Sequence, residues 1–435
     1  MSECPLCGAS ATRRLRAEAG WAAPEVTVLL AAAHPEWRRA TGACPACVQH
    51  ALLGLLLEKG EAALHDGVQK AWPLDAEAAF GALPTPLRLH ADPRFTGRGV
   101  TVAMVDAAFF PHPDLVRPWN RIRAFVDASR PEVEAVRFRR NARPHWPGCD
   151  RAEARQWHGL MTTAAATGNG ELSHGLYRGL ASDAEVVLVQ VAGADGHIGN
   201  AAIERALRWL LLHGSRLGVR VVNLSLGGEA VEPLRGNGVD QAVAELMAED
   251  VTVVAAAGND GERRLVPPGT APEALTVGGL DDQNTLDHAQ RALWHSSYGS
   301  GGDGGGKPEL VAPSLFVVAP LLPGTSLALE ARELFARRAR GDSSAEARIA
   351  EAKLITPHYQ HVEGTSFAAP LAASVVACML EANPRLSPGQ VRERLVATAE
   401  RVAGAPRERQ GAGALHAGRA VAEALAAATP LGVPA

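Results

Sequence analysis

The sequence predicts an α/β protein built on a parallel sheet with helices on both faces, preceded by a small zinc-ribbon-like domain. Two patterns carry that prediction. From Gly99 onward the short β-branched runs GVTVAMVD, AEVVLVQVAG, GVRVVNLSLGG, DVTVVAAAGN and ALTVGGL run out at Gly, Asp or Asn, and helical stretches such as NAAIERALRWLLLHG and GVDQAVAELMAE lie between them. Near-continuous apolar strands alternating with helices are covered on both faces, which is the condition of a parallel sheet. At the other end of the chain, Cys4-Pro-Leu-Cys7 and Cys44-Pro-Ala-Cys47 form two CPxC turns.

Composition bounds the classes. A chain of 435 residues, 47% of them hydrophobic, can bury a large core. The formal net charge of −4 gives no general attraction to nucleic acid or to an anionic membrane. Only four of the 43 basic residues are lysine, a bias that says more about codon usage than about a binding surface. The start, MSECPLCGAS, lacks the basic and apolar regions of a secretory signal. No continuous apolar run approaches the roughly 18 residues of a membrane span, and the longest candidate, LLGLLL, is followed by Glu58 and Lys59. The expectation is a cytoplasmic protein that binds neither nucleic acid nor membrane.

In a reducing compartment the paired cysteines are a metal pattern before they are a disulfide pattern. Cys4, Cys7, Cys44 and Cys47 together complete a tetrahedral thiolate site for one structural zinc ion, with EVTVLLAA between the knuckles as strand material. Residues 1–70 are read as this ribbon-like domain with its following helix, VQHALLGLLLEKGEAALHDGVQ. Residues 71–92 are read as a proline-rich connector, 93–428 as the α/β domain and 429–435 as a tail. Two insertions interrupt the large domain. Residues 127–157 carry several arginines without an apolar period, and 327–355 read as two charged helices broken at Gly341-Asp342, the second opening on Ser343 and Glu346 in capping-box spacing. Both are expected as solvated excursions. The glycine cluster at 299–306 is loop.

In parallel sheets ligands gather at the carboxyl ends of the strands. Asp106 closes the first strand, Asn259 follows VVAAAG, and His158 opens the small-residue stretch HGLMTTAAATG. Ser366 stands in GTSFAAP at the mouth of an apolar helix. Helix capping accounts for Ser366 or for Thr365, but not for both, nor for the preceding Gly364. Small neighbours are what a chain uses where a substrate comes close, and a helix N-terminus stabilises a developing anion. An acid, a base, an amide donor and a hydroxyl are the parts of a serine nucleophile activated by imidazole.

From about Gly97 to Ala427 the chain resembles the subtilisin-like serine proteases. The resemblance rests on GVTVAMVDAAFFPHPDL, HGLMTTAAATG, VVNLSLGG, VVAAAGNDG and GTSFAAPLAASVVACML, with NPRLSPGQVRERLVATA and GAGALHAGRAV near the end. It implies a subtilisin-like fold, Asp106, His158 and Ser366 as catalytic triad and Asn259 as oxyanion donor. It also implies Ser225, Leu226 and Gly227 as the edge that pairs with substrate backbone, and Ala256, Ala257 and Gly258 as one wall of the S1 pocket. Asp260 then lies at the S1 mouth, where a carboxylate favours Lys or Arg at P1. Calcium is common in that family, but no loop here offers oxygen ligands that can be named. His174, in a second His-Gly, lacks the small-residue helix that follows His158. Two positions depart from the pattern: Asp106 is followed by Ala107-Ala108 where Ser or Thr and then Gly is usual, and His158-Gly159 is followed by Leu160 where Thr is usual.

The function these residues imply is a serine endopeptidase acting on protein or peptide substrates. A regulated intracellular processing role fits better than bulk digestion, for example activation of a toxin, pore-former or other defence or stress protein by one cut. A partner protein would dock at the zinc ribbon or at the 327–355 insertion. The alternative is a zinc-ribbon binding or scaffold protein whose subtilisin-like domain is weakly active or inactive.

Overall fold

The computed structural model describes residues 82–231 and 237–428, the helices α1 (Pro45–Lys59) and α2 (Glu61–Ala71), and short pieces of the first 43 residues (2–6, 10–11, 28, 30–31, 34–37 and 43). The strands of the main sheet are, in chain order, β1 (Thr101–Asp106), β2 (Ile122–Asp127), β3 (Glu134–Arg137), β4 (Glu185–Gln190), β5 (Val219–Leu224), β6 (Thr252–Ala256), β7 (Leu275–Asp281) and β8 (Leu310–Pro313), with the short Ala292–Leu293 as the ninth. Across the sheet they run β7-β6-β5-β1-β4-β2-β3, with β8 and Ala292–Leu293 both on β7. Only β3 and Ala292–Leu293 pair antiparallel. The predicted parallel sheet is therefore present, and β1 sits at its centre between β4 and β5.

Alternation of side chains along each strand divides the interior into two cores. Val102 and Met104 of β1 face one core with Met161 and Ala165 of α3 (Trp157–Thr167). Ala103 and Val105 face the other, against Ile203 and Leu207 of α4 (Asn200–His213) and Val239 and Val243 of α5 (Gly238–Ala248). A strand buried on both faces has no polar side to show, which is why these runs read as continuously apolar.

Beyond β8 the chain forms a small antiparallel sheet of β9 (Val317–Pro320), β10 (Leu354–Thr356) and β11 (Tyr359–Val362), with β11 in the middle. The second insertion, α6 (Ser326–Ala339) and α7 (Ser344–Glu351), closes on its own core of Leu334, Phe335, Ile349 and Leu354. Its break falls at Gly341, whose φ is +85°. The capping box does not form: Ser343 makes no side-chain cap, and Asp342 accepts from the Ser344 amide at 3.0 Å instead. The Glu346 amide, which the Ser343 hydroxyl was expected to cap, donates to the Ser343 carbonyl at 3.1 Å instead.

The chain then enters α8 (Thr365–Ala382), followed by α9 (Pro388–Thr398) and α10 (Ala417–Ala426). Every residue of α8 from Phe367 to Leu380 is buried. Its alanines let it lie close against the sheet. By length and composition α8 would cross a bilayer, contrary to the reading of LLGLLL as the longest candidate, but most of it is enclosed by the protein.

Three expectations need correction. The first insertion is not wholly solvated: β3 is exposed, but Trp146 is 1% exposed and stacks on Phe125 with ring centroids 4.7 Å apart. Val28, Leu30 and Ala31, within the expected strand material, are helical. Residues 82–92, the end of the expected connector, are packed. Arg88 forms a buried bidentate pair with Asp282 at 2.9 and 2.7 Å and also donates to the carbonyls of Leu315 and Phe316. A guanidinium fork satisfied on this many sides belongs to a fixed interior.

Candidate active site

Asp106 ends the central strand with its side chain 1% exposed, and His158 is the second residue of α3. The start of α3 approaches the loop after β1 so closely that a Cβ at Gly159 would collide with the Ala108 carbonyl oxygen. Glycine after the histidine is thus a packing requirement. The approach brings His158 Nδ1 to 2.7 Å from Asp106 Oδ1. The same carboxylate accepts from the Ala107 amide at 2.6 Å and, through Oδ2, from the Thr162 hydroxyl at 2.8 Å. Thr162 lies four residues after His158 and so shares its helix face. It supplies a hydroxyl donor to Asp106 although Ala107 and Leu160 stand where Ser or Thr was looked for. Burial opposes charging of the His158 ring, but the charge and hydrogen bond of Asp106 outweigh it and hold the imidazole above its ordinary range.

Ser366 is the second residue of α8, with Pro370 in the next turn. Its Oγ donates to the Ser225 carbonyl at 3.3 Å, while Ser225 Oγ donates to the Ser366 carbonyl at 2.7 Å. Among the described residues Ser366 Oγ makes no hydrogen bond to His158, although the ring of the adjacent Phe367 lies 5.9 Å from that of His158. Thr365 answers the question raised by GTS. Its amide and hydroxyl both donate to Asn259 Oδ1, at 3.0 and 2.8 Å, and its hydroxyl accepts from the Gly258 amide. With the oxygen so occupied, the Asn259 amide is fixed with Nδ2 free to donate. Gly364 has φ +125°, a conformation natural to glycine, and an added Cβ there would come within 3.5 Å of Asn259 Nδ2.

Around these groups, Ser225, Leu226 and Gly227 follow β5, and Ala256, Ala257 and Gly258 follow through the end of β6, as the carboxyl-end rule places them. Asp260 is exposed, its amide held by Ser297 Oγ at 3.3 Å. His174 is exposed in a turn of its own. A contact that spacing gave no hint of joins the strand before the nucleophile to the loop after the acid: Tyr359 of β11 donates to Asp114 at 2.8 Å, and burial pushes that carboxyl up to about 6. An acid, a base, a hydroxyl and an oriented amide thus meet at one end of the sheet.

The model of the subtilase family matches residues 97–413. The chain belongs to the subtilase family. It is a serine protease of subtilisin type, and relatives of that activity are similar along most of its length. Serine protease AprX of Bacillus subtilis (strain 168) is 28% identical over 336 residues, covering 75% of this chain and 67% of the relative. Subtilisin BL of Lederbergia lenta is 30% identical over 309 residues, covering 70% and 84%. Among solved structures, a protease from Pseudoalteromonas arctica PAMC 21717 superposes with a TM-score of 0.55 at 23% identity, covering 81% of this subtilase and 98% of that chain. Sphericase gives 0.51 at 22%, covering 70% and 84%. These likenesses establish the fold.

Of the expected zinc ligands, Cys4 and Cys47 have Sγ atoms 3.9 Å apart. Cys7 and Cys44 lie outside the described residues.

Proposed function

We propose that this subtilase is an endopeptidase in which Ser366 attacks the scissile carbonyl, His158 takes and returns the proton, and Asp106 fixes the His158 tautomer and stabilises the imidazolium. The observation that carries this reading is the 2.7 Å contact between His158 Nδ1 and the buried Asp106 carboxylate, which leaves Nε2 as the base. Asn259 Nδ2 and the N-terminal amides of α8 then donate to the tetrahedral oxyanion. Collapse of that intermediate expels the amine, protonated by His158, and water repeats the sequence on the acyl-enzyme.

In the resting arrangement Ser366 Oγ is spent on the Ser225 carbonyl. At 3.3 Å that bond is weak, so its loss costs about 1 kcal/mol or less. A substrate strand pairing with residues 225–227 offers backbone amides to the same carbonyl. Its arrival displaces Ser366 Oγ and frees it to rotate toward His158.

The ribbon cysteines bind one structural zinc ion in this reading. Thiolates about 2.3 Å from a tetrahedral ion lie about 3.8 Å from one another, close to the 3.9 Å between Cys4 and Cys47. Paired thiols of this kind support a reducing, cytoplasmic setting and a regulated processing role, with a partner protein meeting the ribbon or the helical insertion.

The deciding experiment is labelling with a fluorophosphonate probe alongside peptide hydrolysis. The wild type takes the label on Ser366. Ser366→Ala takes none, and both it and His158→Ala lose roughly 10⁴-fold or more in kcat. Wild-type hydrolysis by purified Ser366→Ala would remove the nucleophile from this scheme.

A further inference from the structure

A second cluster of chemically competent side chains lies where the N-terminal helices meet the protease domain. His65 comes from α2, His90 from the turn after the short helix Thr85–Arg88, and His288 from the single turn His288–Gln290. One ring nitrogen of each lies within 4.8 Å of those of the other two, and the three ring centroids are 5.3 to 5.5 Å apart. Three histidines from such separate segments have no local reason to converge.

Their protonation is constrained by geometry. His65 Nε2 and His90 Nε2 are 3.0 Å apart, so at least one presents a lone pair to the other. His288 Nδ1 lies 3.2 Å from Glu400 Oε2, which places the Nε2 edge of the ring toward the other two histidines. That Nε2 is buried and has no hydrogen-bond partner. An unsatisfied buried polar atom costs about 1–3 kcal/mol, which coordination to an ion would relieve. Two imidazole nitrogens bound to a tetrahedral zinc ion at about 2.0–2.1 Å sit about 3.4 Å apart, a few tenths of an ångström beyond the present His65–His90 separation.

The surroundings are those of a supported ligand shell. Metal-bound imidazoles commonly donate their other nitrogen to a carboxylate, and Glu400 Oε2 stands 3.2 Å from His288 Nδ1. Glu400 is itself held by Arg291 and Arg419, each at 2.7 Å. Glu61, on the same helix as His65, is held by Arg419 at 2.7 Å and by His416 at 3.1 Å, and His416 stacks on His90 with centroids 4.8 Å apart. The two carboxylates are thus engaged by the two guanidiniums, and the three imidazoles are left as ligands.

We propose that His65, His90 and His288 bind one transition-metal ion, zinc before others, which staples α2 to the protease domain. An all-imidazole set suits zinc, copper or nickel and not calcium or magnesium. With three protein ligands, water completes the tetrahedron. The site is separate from the cysteine pairs and shares no residue with the triad.

The test uses the full chain carrying Ser366→Ala, so that self-digestion does not intervene. Protein stripped with a chelator is dialysed against zinc, its bound metal is counted, and its Tm is followed with and without zinc. His288→Ala and His65→Ala, both at half-buried positions that the fold tolerates, are each expected to lose one equivalent or to bind it at least 10-fold more weakly. Cys4→Ser/Cys47→Ser should keep that equivalent, so failure of the ribbon site and failure of this one are distinguishable. Zinc content and zinc-dependent Tm equal to the parent in both histidine variants would overturn the proposal.

Discussion

The Thr162 hydroxyl donates to Asp106 Oδ2 at 2.8 Å from the helical turn that follows His158, so α3 carries both the imidazole and a donor to the carboxylate that the imidazole meets. Hydrogen bonds to a buried charged group contribute about 1.5–3 kcal/mol. Thr162→Val keeps the shape and deletes the donor. It should lower kcat roughly 10- to 100-fold with KM little changed, and Thr162→Ser should restore most of the loss. Steady-state kinetics on the three proteins check this. A Thr162→Val enzyme at wild-type kcat would make the contact structural only.

The titration of His158 has a definite sign. In the proposed mechanism its neutral form is the base, and Asp106 holds its pKa above the ordinary value of about 6.5. The acid limb of kcat/KM should therefore have its midpoint above that value, with activity falling as pH drops through it. Asp106→Asn removes the raising cause and leaves burial, which lowers. Its midpoint should move to lower pH while the plateau falls about 10⁴-fold. A pH profile of the variant with an unmoved midpoint would contradict the assignment of Asp106 as the charge that His158 feels.

The sequence made Asp106, His158, Asn259 and Ser366 legible because each stands at a strand end or helix start with glycine or alanine within two residues. Those flanks are themselves physical: Gly159 is dictated by the Ala108 carbonyl, and Gly364 by its φ of +125°. The parallel sheet was legible because its strands alternate between two cores. What escaped was contact between segments. Thr162 was within reach, since i+4 spacing places it beside His158, but Tyr359 on Asp114 depends on a hairpin returning over the loop after β1. His65, His90 and His288 share no spacing at all, and only the packing of residues 82–92 against the end of β7 brings them together. The same packing places residues 82–92, the end of the expected connector, in the interior.

Orientation of Asn259 is the third point open to measurement. Thr365 occupies Asn259 Oδ1 with two donors, which leaves Nδ2 to serve the oxyanion in the proposed mechanism. Asn259→Ala should lower kcat about 100- to 1000-fold. Thr365→Ala removes the hydroxyl but keeps the amide donor, so its loss should be smaller and confined to kcat. Equal losses in KM for either variant would show that the pair binds ground-state substrate instead.

Asp260 tests specificity. Its carboxylate is exposed directly after the oxyanion asparagine, where solvent screens it. Such a charge is worth up to about 1 kcal/mol, or roughly 5-fold, to a basic P1 side chain. Asp260→Asn should lower the ratio of Arg to Leu cleavage by that factor in paired peptides and leave Leu cleavage alone. An unchanged ratio would assign P1 choice to other residues.

The helical insertion at 327–355 tests access to the site. Loop-closure entropy makes an insertion of this length inexpensive, so its presence alone carries no meaning. Its position does. β11 returns from the insertion directly into Gly364-Thr365-Ser366, and Lys353, at the end of the insertion, lines a cavity of about 270 Å³ together with Trp157, Val362 and Phe367. Trp157 adjoins His158 and Phe367 adjoins Ser366, so in the proposed mechanism a substrate chain leaving the site on this side would meet the insertion. Leu334 and Phe335 are buried in its core, with Leu327 partly buried beside them. Arg332 and Arg340 are exposed, while Arg337 bonds Asp342 and Arg338 lies 3.6 Å from Glu346. Leu329 is left 60% exposed on α6. Replacing 327–355 with a Gly-Ser linker should change cleavage of a folded protein substrate several-fold more than cleavage of a small peptide. That replacement also removes Leu354 from the core it shares with Leu321, so Leu329→Glu, which leaves the core intact, is the companion variant and should affect the protein substrate alone. If both variants fold and cleave both substrates at wild-type rates, the insertion is decoration and the cleft is open without it.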